Sequence, residues 1–180
     1  MEDNKLIYSH NTLDFVTVAV KFCALLEQAN EQTKFQFVET LVKMLPLLYV
    51  KAQLLPKVES DGDFLPAPQV TEGDYNWVRD AVYGLFDEDD EYLDVSEGEE
   101  ELQTDETRWR SVSEHIADVY QPVRNFLAVY QDGTEESMND ALWAVEQQFT
   151  EYWGQALVDA LRRLHRIQCS LLQNDGEDYD

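Results

Sequence analysis

One stretch of the chain, residues 134–173, limits the possible folds more than any other. Apolar residues recur along it about every 3.7 residues, close to the period of about 3.6 of an α-helix. This stripe consists of Met138, Leu142, Val145, Phe149, Trp153, Ala156, Ala160, Leu164, Ile167 and Leu171. The stretch contains no proline and a single glycine, Gly154. We therefore expect one continuous helix with Phe149 and Ala156 on its buried side and with any bend at residues 150–154.

The same spacing predicts four earlier helices, over about residues 12–29, 32–55, 71–86 and 106–130. Asn11 or Thr12 is placed to cap the first of them, Thr71 the third, and Thr134 the long C-terminal helix. These side chains accept hydrogen bonds from the free N–H groups of a helix start. Pro46 and Pro122 fall inside the second and fourth patterns. Since proline removes a backbone hydrogen bond, we expect a kink or break at Pro46 and a kink at Pro122. Strand signals are weak throughout.

A chain of 180 residues, of which 44% are hydrophobic, can build a substantial core within one domain. A continuous helix over residues 134–173 would be about 60 Å long, whereas a compact globule of this size has a diameter of roughly 40 Å. We therefore predict an all-α fold with a single domain over residues 1–180. Its architecture would be an elongated up-and-down bundle of about five helices with a long C-terminal helix.

Acidic residues dominate the surface chemistry. The sequence holds 37 Asp and Glu against 13 Lys and Arg, a formal net charge of −24. Twelve of the acids lie between Asp87 and Glu106, a segment without Lys or Arg, which indicates a solvated acidic loop over residues 87–104. Residues 174–180 form a second acidic segment, expected as a frayed tail. Such a surface repels nucleic acid and anionic membranes and favours a cationic protein partner or metal ions.

Mutual repulsion among these carboxylates predicts that stability depends on salt. Raising the ionic strength to about 0.15 M shortens the screening length to about 8 Å. Screening then weakens the self-repulsion of the compact state. We expect the melting temperature, followed by circular dichroism, to rise between low and physiological salt. A melting temperature that stays flat or falls would show that repulsion does not limit stability.

Targeting, membrane and redox signals are missing from the sequence. The first residues lack a basic region followed by a long apolar run. The longest apolar run, residues 44–50, is far shorter than the roughly 20 residues of a membrane span. Cys23 and Cys169 lie far apart and in no CxxC pair. We expect two buried thiols in a cytoplasmic protein without a cofactor.

No metal or catalytic motif is complete. The three histidines, His10, His115 and His165, lack partners at the spacing of an HExxH or ExxH site, and glycine-rich phosphate loops do not occur. The acidic run that starts at Asp87 fails the calcium-loop pattern, because its sixth position is Tyr92 and not glycine. Its carboxylates remain weak candidates for binding a divalent cation: Asp87, Asp89, Glu91 and Asp94.

Two helical carboxylate pairs could serve a metal-assisted enzyme. Glu114 and Asp118 are four residues apart, as are Glu136 and Asp140, so each pair shares a helix face. All-α nucleotide hydrolases bring ExxE and ExxD pairs of neighbouring helices together around a metal ion. Glu88 and Glu91, and Glu91 and Asp94, have that spacing but fall in the predicted loop. Because 37 acids produce such spacings by chance, this class of enzyme is kept only as an alternative.

The scarce basic residues cluster near the end of the last helix, at Arg162, Arg163, His165 and Arg166. One interpretation pairs them within the molecule, with the acidic loop or with Asp159. The other makes them an anion or carboxylate pocket on an otherwise negative protein. We take these four residues as candidate binding residues.

Aromatic residues at helical spacing, including Trp109, are expected in the core. Trp143 and Trp153 are ten residues apart, which separates their directions by about 80° around a helix. They cannot both point at the centre of the core, so one of them is expected at its rim, where a partner could bind. Both are therefore added to the candidate binding residues.

Four stretches resemble an uncharacterised family of helical bacterial proteins, a domain of unknown function. They are residues 89–93 (DDEYL), 113–121 (SE and ADVYQ within it), 138–143 (MNDALW) and 152–155 (YWGQ). Pro122 departs from the acidic residue expected at its position, which leaves the local helix geometry open. The resemblance implies an all-helical fold of bacterial origin and brings no activity with it.

The sequence favours an acidic helical interaction or regulatory module over the metal-assisted enzyme, with a nucleic-acid mimic as a third class. An enzyme needs carboxylates that converge in a pocket. A binding module needs an exposed apolar patch. A mimic needs acids in rows that are spaced like phosphates, so a structure can separate the three classes.

Overall fold

The computed structural model describes residues 6–60, 62–94 and 108–177. The elements are α1 (His10–Glu27), α2 (Lys34–Gln53), α3 (Glu72–Phe86), β1 (Glu91–Asp94), β2 (Arg108–Ser111), α4 (Val112–Asp132), α5 (Glu135–Gln148) and α6 (Gly154–Glu177). A π turn, Phe149–Trp153, joins α5 to α6, so these three segments form one long helix and the described chain holds five helices. The predicted helical bundle with a long C-terminal helix is confirmed, with a small hairpin added.

Helix α4 lies at the centre of the bundle. It contacts α1, α3, α5 and α6, while α2 packs against α1 and α6. Buried apolar residues from all of these helices form one continuous core. Within the described residues, no helix has both the length and the apolar character that crossing a membrane requires.

The apolar stripe of the long helix faces the core as predicted. Nine of its ten members are less than a tenth exposed, and Leu171 is half-buried. Phe149 and Ala156 lie on the buried side, at 7% and 6% exposure. Helix α6 continues to Glu177, so the backbone is still helical where the frayed tail was predicted to begin at residue 174. Residues 178–180 lie outside the described part of the chain.

The segment where a bend was expected contains the π turn. Gly154 permits this turn, because a Cβ added to it would lie 2.6 Å from the Phe149 carbonyl oxygen and 3.1 Å from the Phe149 ring. The missing side chain therefore leaves the space that the Phe149 ring occupies. That ring meets the Trp153 ring edge-on, with 4.5 Å between the two centroids.

Replacing Gly154 by alanine is expected to destabilise the protein, although alanine has the higher helix propensity. The propensity gain of about 1 kcal/mol is smaller than the overpacking cost against Phe149, typically about 1–3 kcal/mol. Gly84→Ala on α3 is the matched control, because nothing lies within 4 Å of its added Cβ. It should stabilise by up to about 1 kcal/mol. Urea unfolding that finds both variants equally stabilised would contradict the role of Gly154.

Helix caps agree with the sequence prediction at α3 and α5 and differ at α1. Thr71 caps α3 and Thr134 caps α5, each through its hydroxyl oxygen. Helix α1 starts earlier than predicted, since Ser9 and not Asn11 or Thr12 is its cap. The Thr12 side chain is instead buried in the first turn.

Pro46 and Pro122 lie inside α2 and α4, and neither proline breaks its helix. Pro46 is exposed, so water can satisfy the carbonyl group that loses its helical partner. Pro122 is buried in the helix at the centre of the bundle, and the packing there offsets the missing hydrogen bond.

The acidic segment departs most from the sequence prediction. The residues from 87 onward, predicted as a loop, contain a 3₁₀ turn, Asp87–Asp89, and the strand β1, which pairs antiparallel with β2. The fourth helix begins at Val112 and not near residue 106. Trp109, assigned to the buried stripe of that helix, lies on β2 and is 66% exposed. Residues 95–104 of the predicted loop lie outside the described part of the chain.

Candidate interaction surface at the hairpin

The hairpin presents an apolar pair to solvent. Leu93 of β1 and Trp109 of β2 are paired directly across the antiparallel ladder and are 52% and 66% exposed. Alternate residues of a strand point to the same side, so Glu91 and its partner Ser111 share this side of the hairpin. We call these four residues the hairpin face. It carries the kind of exposed apolar patch that a binding module requires.

The opposite side of the hairpin packs on the bundle. Tyr92 is half-buried against the core, and its ring centroid lies 6.3 Å from that of His115 on α4. The Arg163 guanidinium of α6 lies over the same tyrosine ring at 5.6 Å, within the range of a cation–π contact. These contacts attach the hairpin to both α4 and α6. They fix the position of the hairpin face relative to the bundle.

Asp90 anchors the hairpin to the start of α4. Its carboxylate is 1% exposed and accepts hydrogen bonds from the Ser113 backbone N–H at 2.8 Å and the Ser113 hydroxyl at 3.0 Å. The Ser111 hydroxyl donates a third, at 2.5 Å. A negative charge here also suits the positive end of the α4 dipole. Sequence reasoning missed this role, because it treated Asp90 as one acid of a solvated run.

The neighbouring acid, Asp89, contacts Lys34 and Arg163. The Lys34 ammonium lies 2.5 Å from the Asp89 carboxylate. Arg163 donates to the Asp89 backbone carbonyl at 2.9 Å and lies 3.7 Å from the carboxylate. The interpretation that the basic cluster pairs with the acidic segment is therefore confirmed for Arg163.

The other members of the basic cluster, Arg162, His165 and Arg166, are exposed on α6. His165 Nε2 lies 3.8 Å from the sulfur of Cys169. Cys169 is exposed, so the expectation that both cysteines are buried is wrong for it. Cys23 is buried as expected, and its burial raises the pKa of the thiol.

The two candidate tryptophans of the long helix divide between core and rim. Trp153 is fully buried and donates its indole N–H to the Val145 carbonyl at 3.0 Å, so a partner cannot reach it in the folded protein. Trp143 is half-buried and packs beside Gly62, whose added Cβ would lie 3.7 Å from its ring. The angular argument from the sequence is confirmed, and Trp143 is the residue at the rim.

The four weak candidates for metal binding have different positions in the structure. Asp87 ends α3 with a φ of 50°, Asp89 pairs with the two cations described above, and Glu91 and Asp94 lie on β1. In residues 6–60, 62–94 and 108–177, no three carboxylate, histidine or cysteine side chains are grouped to hold a metal ion.

Each helical carboxylate pair has one member engaged in the fold. Asp118 accepts a hydrogen bond from the Tyr75 hydroxyl at 2.8 Å and another from Tyr152. Burial, and then these hydrogen bonds, raise the pKa of both phenols. Asp140 is 5% exposed and accepts a hydrogen bond from the backbone N–H of Phe64 at 2.7 Å. This bond ties the loop between α2 and α3 to α5. The two aspartates therefore join elements of the bundle.

The stretches that carry the family resemblance coincide with these contacts between elements. Asp90 joins the hairpin to α4, Asp118 joins α3 and α4 to the π turn, and Asp140 joins a loop to α5. Gly154 permits the π turn itself. Each of the four stretches thus contains a residue that holds elements of the bundle together.

Comparisons with known proteins agree with this architecture. No curated protein matches the chain. Residues 6–170 match the family model described as "Domain of unknown function (DUF5063)". The crystal structure of protein BF1032 from Bacteroides fragilis is similar, with a TM-score of 0.80, 40% sequence identity and coverage of 91% of this chain and 95% of that one. The resemblance seen in the sequence is thereby confirmed, and the chain belongs to the DUF5063 family of domains of unknown function.

Proposed function

We propose that this protein is an acidic interaction module that binds a basic segment of a partner protein at the hairpin face. The observation that carries the proposal is the exposed pair of Leu93 and Trp109 on a hairpin attached to the bundle. Tryptophan is enriched among the residues that dominate binding energy in protein interfaces. The pair provides an apolar centre, and the exposed Glu91 provides a polar edge beside it.

The net charge of the whole protein favours a cationic partner. Three exposed acids, Asp87, Glu88 and Glu91, precede Leu93 in the chain, and the net charge of the protein is −24. A Lys or Arg side chain can lie over the Trp109 ring and be attracted by both the ring and the carboxylates. The negative field also speeds encounter with a cationic partner and opposes nucleic acid and anionic membranes.

We further propose that the protein acts in the bacterial cytoplasm, which is a reducing compartment. Cys23 and Cys169 are both free thiols, and Cys169 is exposed. Free exposed thiols persist where cellular reductants keep them from forming disulfides. This supports a partner in the same compartment.

Isothermal titration with a nine-residue peptide of alternating lysine and leucine tests the proposal. The wild-type protein should bind it, added salt should weaken the binding, and Trp109→Ser should lower the affinity at least about tenfold. Trp77→Ser is the matched control, because Trp77 is 50% exposed on α3 and lines a different pocket, with Tyr120 and Arg124. A peptide of alternating glutamate and leucine controls for charge.

Two results would overturn the proposal. One is the absence of binding between the basic peptide and the wild-type protein. The other is an equal loss of affinity in the two tryptophan variants, because the hairpin face would then have no special part in binding.

A further inference from the structure

A pocket of about 400 Å³ lies between α2 and the π turn, apart from the hairpin face. Tyr49, Phe149 and Val158 contribute to its walls. Its charged groups are Glu146 of α5 and Lys57, which follows α2. The pocket shares no residue with the hairpin face.

Glu146 is a buried carboxylate whose cation can be replaced. Its side chain is 9% exposed, contacts the Lys57 ammonium and accepts a hydrogen bond from Gln147 Nε2 at 2.7 Å. The Lys57 side chain is 79% exposed, so most of its length is in water. A buried carboxylate requires a cation or hydrogen-bond donors, whereas an exposed lysine loses little when it turns away. The Lys57 ammonium thus shows where a cation can bind Glu146, and a ligand can displace it from that position.

The walls beside this carboxylate are aromatic and aliphatic. The rings of Tyr49 and Phe149 meet edge to face, with 5.2 Å between their centroids. The π turn shapes this wall, because Gly154 leaves the space for Phe149 and the Thr150 hydroxyl donates to the Glu146 carbonyl at 3.3 Å. Such π turns occur frequently at functional sites.

We propose that this pocket binds a small organic amine, a primary ammonium group on an aromatic or aliphatic stem. The ammonium group of the ligand takes the place of the Lys57 ammonium at Glu146. Its stem lies against Tyr49 and Phe149, where burial of apolar surface adds to the affinity. The proposal does not depend on partner binding at the hairpin face.

Titration of the full chain with benzylammonium, followed by calorimetry, tests this site. Lys57→Met removes the internal competitor and should raise the affinity about two- to fivefold, because Lys57 turns away at little cost and the fraction of open sites is already substantial in the wild type. Lys43→Met is the matched control: Lys43 pairs with Glu39 on the surface of α2, with side chains 69% and 48% exposed. It should leave the affinity unchanged. Glu146→Gln should abolish binding, and benzyl alcohol, which lacks the charge, should not bind.

An NMR titration of the wild-type protein provides a second measurement that needs no variant to fold. Benzylammonium should shift the backbone amide signals of Thr150 and Gly154. Shifts confined to other parts of the chain would overturn the proposal. Unchanged affinity in Lys57→Met, or binding that survives in Glu146→Gln, would overturn it as well.

Discussion

Replacing Phe149 by alanine should lower the free energy of unfolding by about 3–5 kcal/mol, the usual cost of truncating a buried phenylalanine. Phe149 is 7% exposed, and its ring centroid lies 4.5 Å from that of Trp153 and 5.2 Å from that of Tyr49. It connects the π turn to α2 through Tyr49. Alanine would leave a cavity between two large rings, and part of the cost comes from this cavity.

Urea unfolding at fixed pH and salt measures this effect. Phe64→Ala is the matched control, because Phe64 is 61% exposed and its truncation should change the stability by only about 0.5 kcal/mol. A loss below about 1 kcal/mol in Phe149→Ala would show that the stripe of the long helix does not face the core at its midpoint. The register of that helix would then be wrong.

Replacing Asp90 by alanine should cost roughly 2–4 kcal/mol, since a hydrogen bond to a charged group contributes about 1.5–3 kcal/mol and a buried donor left unpaired adds a penalty. The Ser113 N–H would be that donor, because Ser113 is 1% exposed. The hairpin would also lose its anchor to the start of α4.

The neighbouring variant Asp89→Ala separates this buried role from a surface ion pair. The Asp89 side chain is 51% exposed, so its loss should cost about 1 kcal/mol or less. Amide hydrogen exchange should accelerate at Ser113 and Glu114 in Asp90→Ala and stay near wild type in Asp89→Ala. Similar small losses in both variants would mean that Asp90 does not hold the start of α4.

The helices were predictable because their signals are local. The stripe from Met138 to Leu171 and the caps Thr71 and Thr134 follow from the period of the helix and from the hydrogen-bonding needs of its first turn. The local effects of glycine and proline depend on packing that the sequence does not show. Pro46 and Pro122 leave their helices unbroken, and Gly154 admits a π turn whose form depends on the Phe149 ring.

The hairpin was missed because its sequence carries no local signal strong enough to outweigh the acids around it. Trp109 and Val112 are at helical spacing, yet Trp109 lies on a strand and Val112 begins the helix. The boundary between them depends on Asp90, whose carboxylate accepts the Ser113 N–H from 23 residues earlier in the chain. A window of neighbouring residues does not contain that contact.

By itself, the sequence determined the class of the fold, the long helix with its buried face, and the negative surface. These depend on the spacing of side chains along a helix and on a sum of charges, both of which can be read without coordinates. Only the tertiary structure decided what each carboxylate does. Asp90 caps a helix, Asp118 accepts hydrogen bonds from two tyrosines, and Glu146 pairs with Lys57, 89 residues away. All are acids in an acidic chain, and their roles differ because folding buries some of them beside donors and leaves others in water.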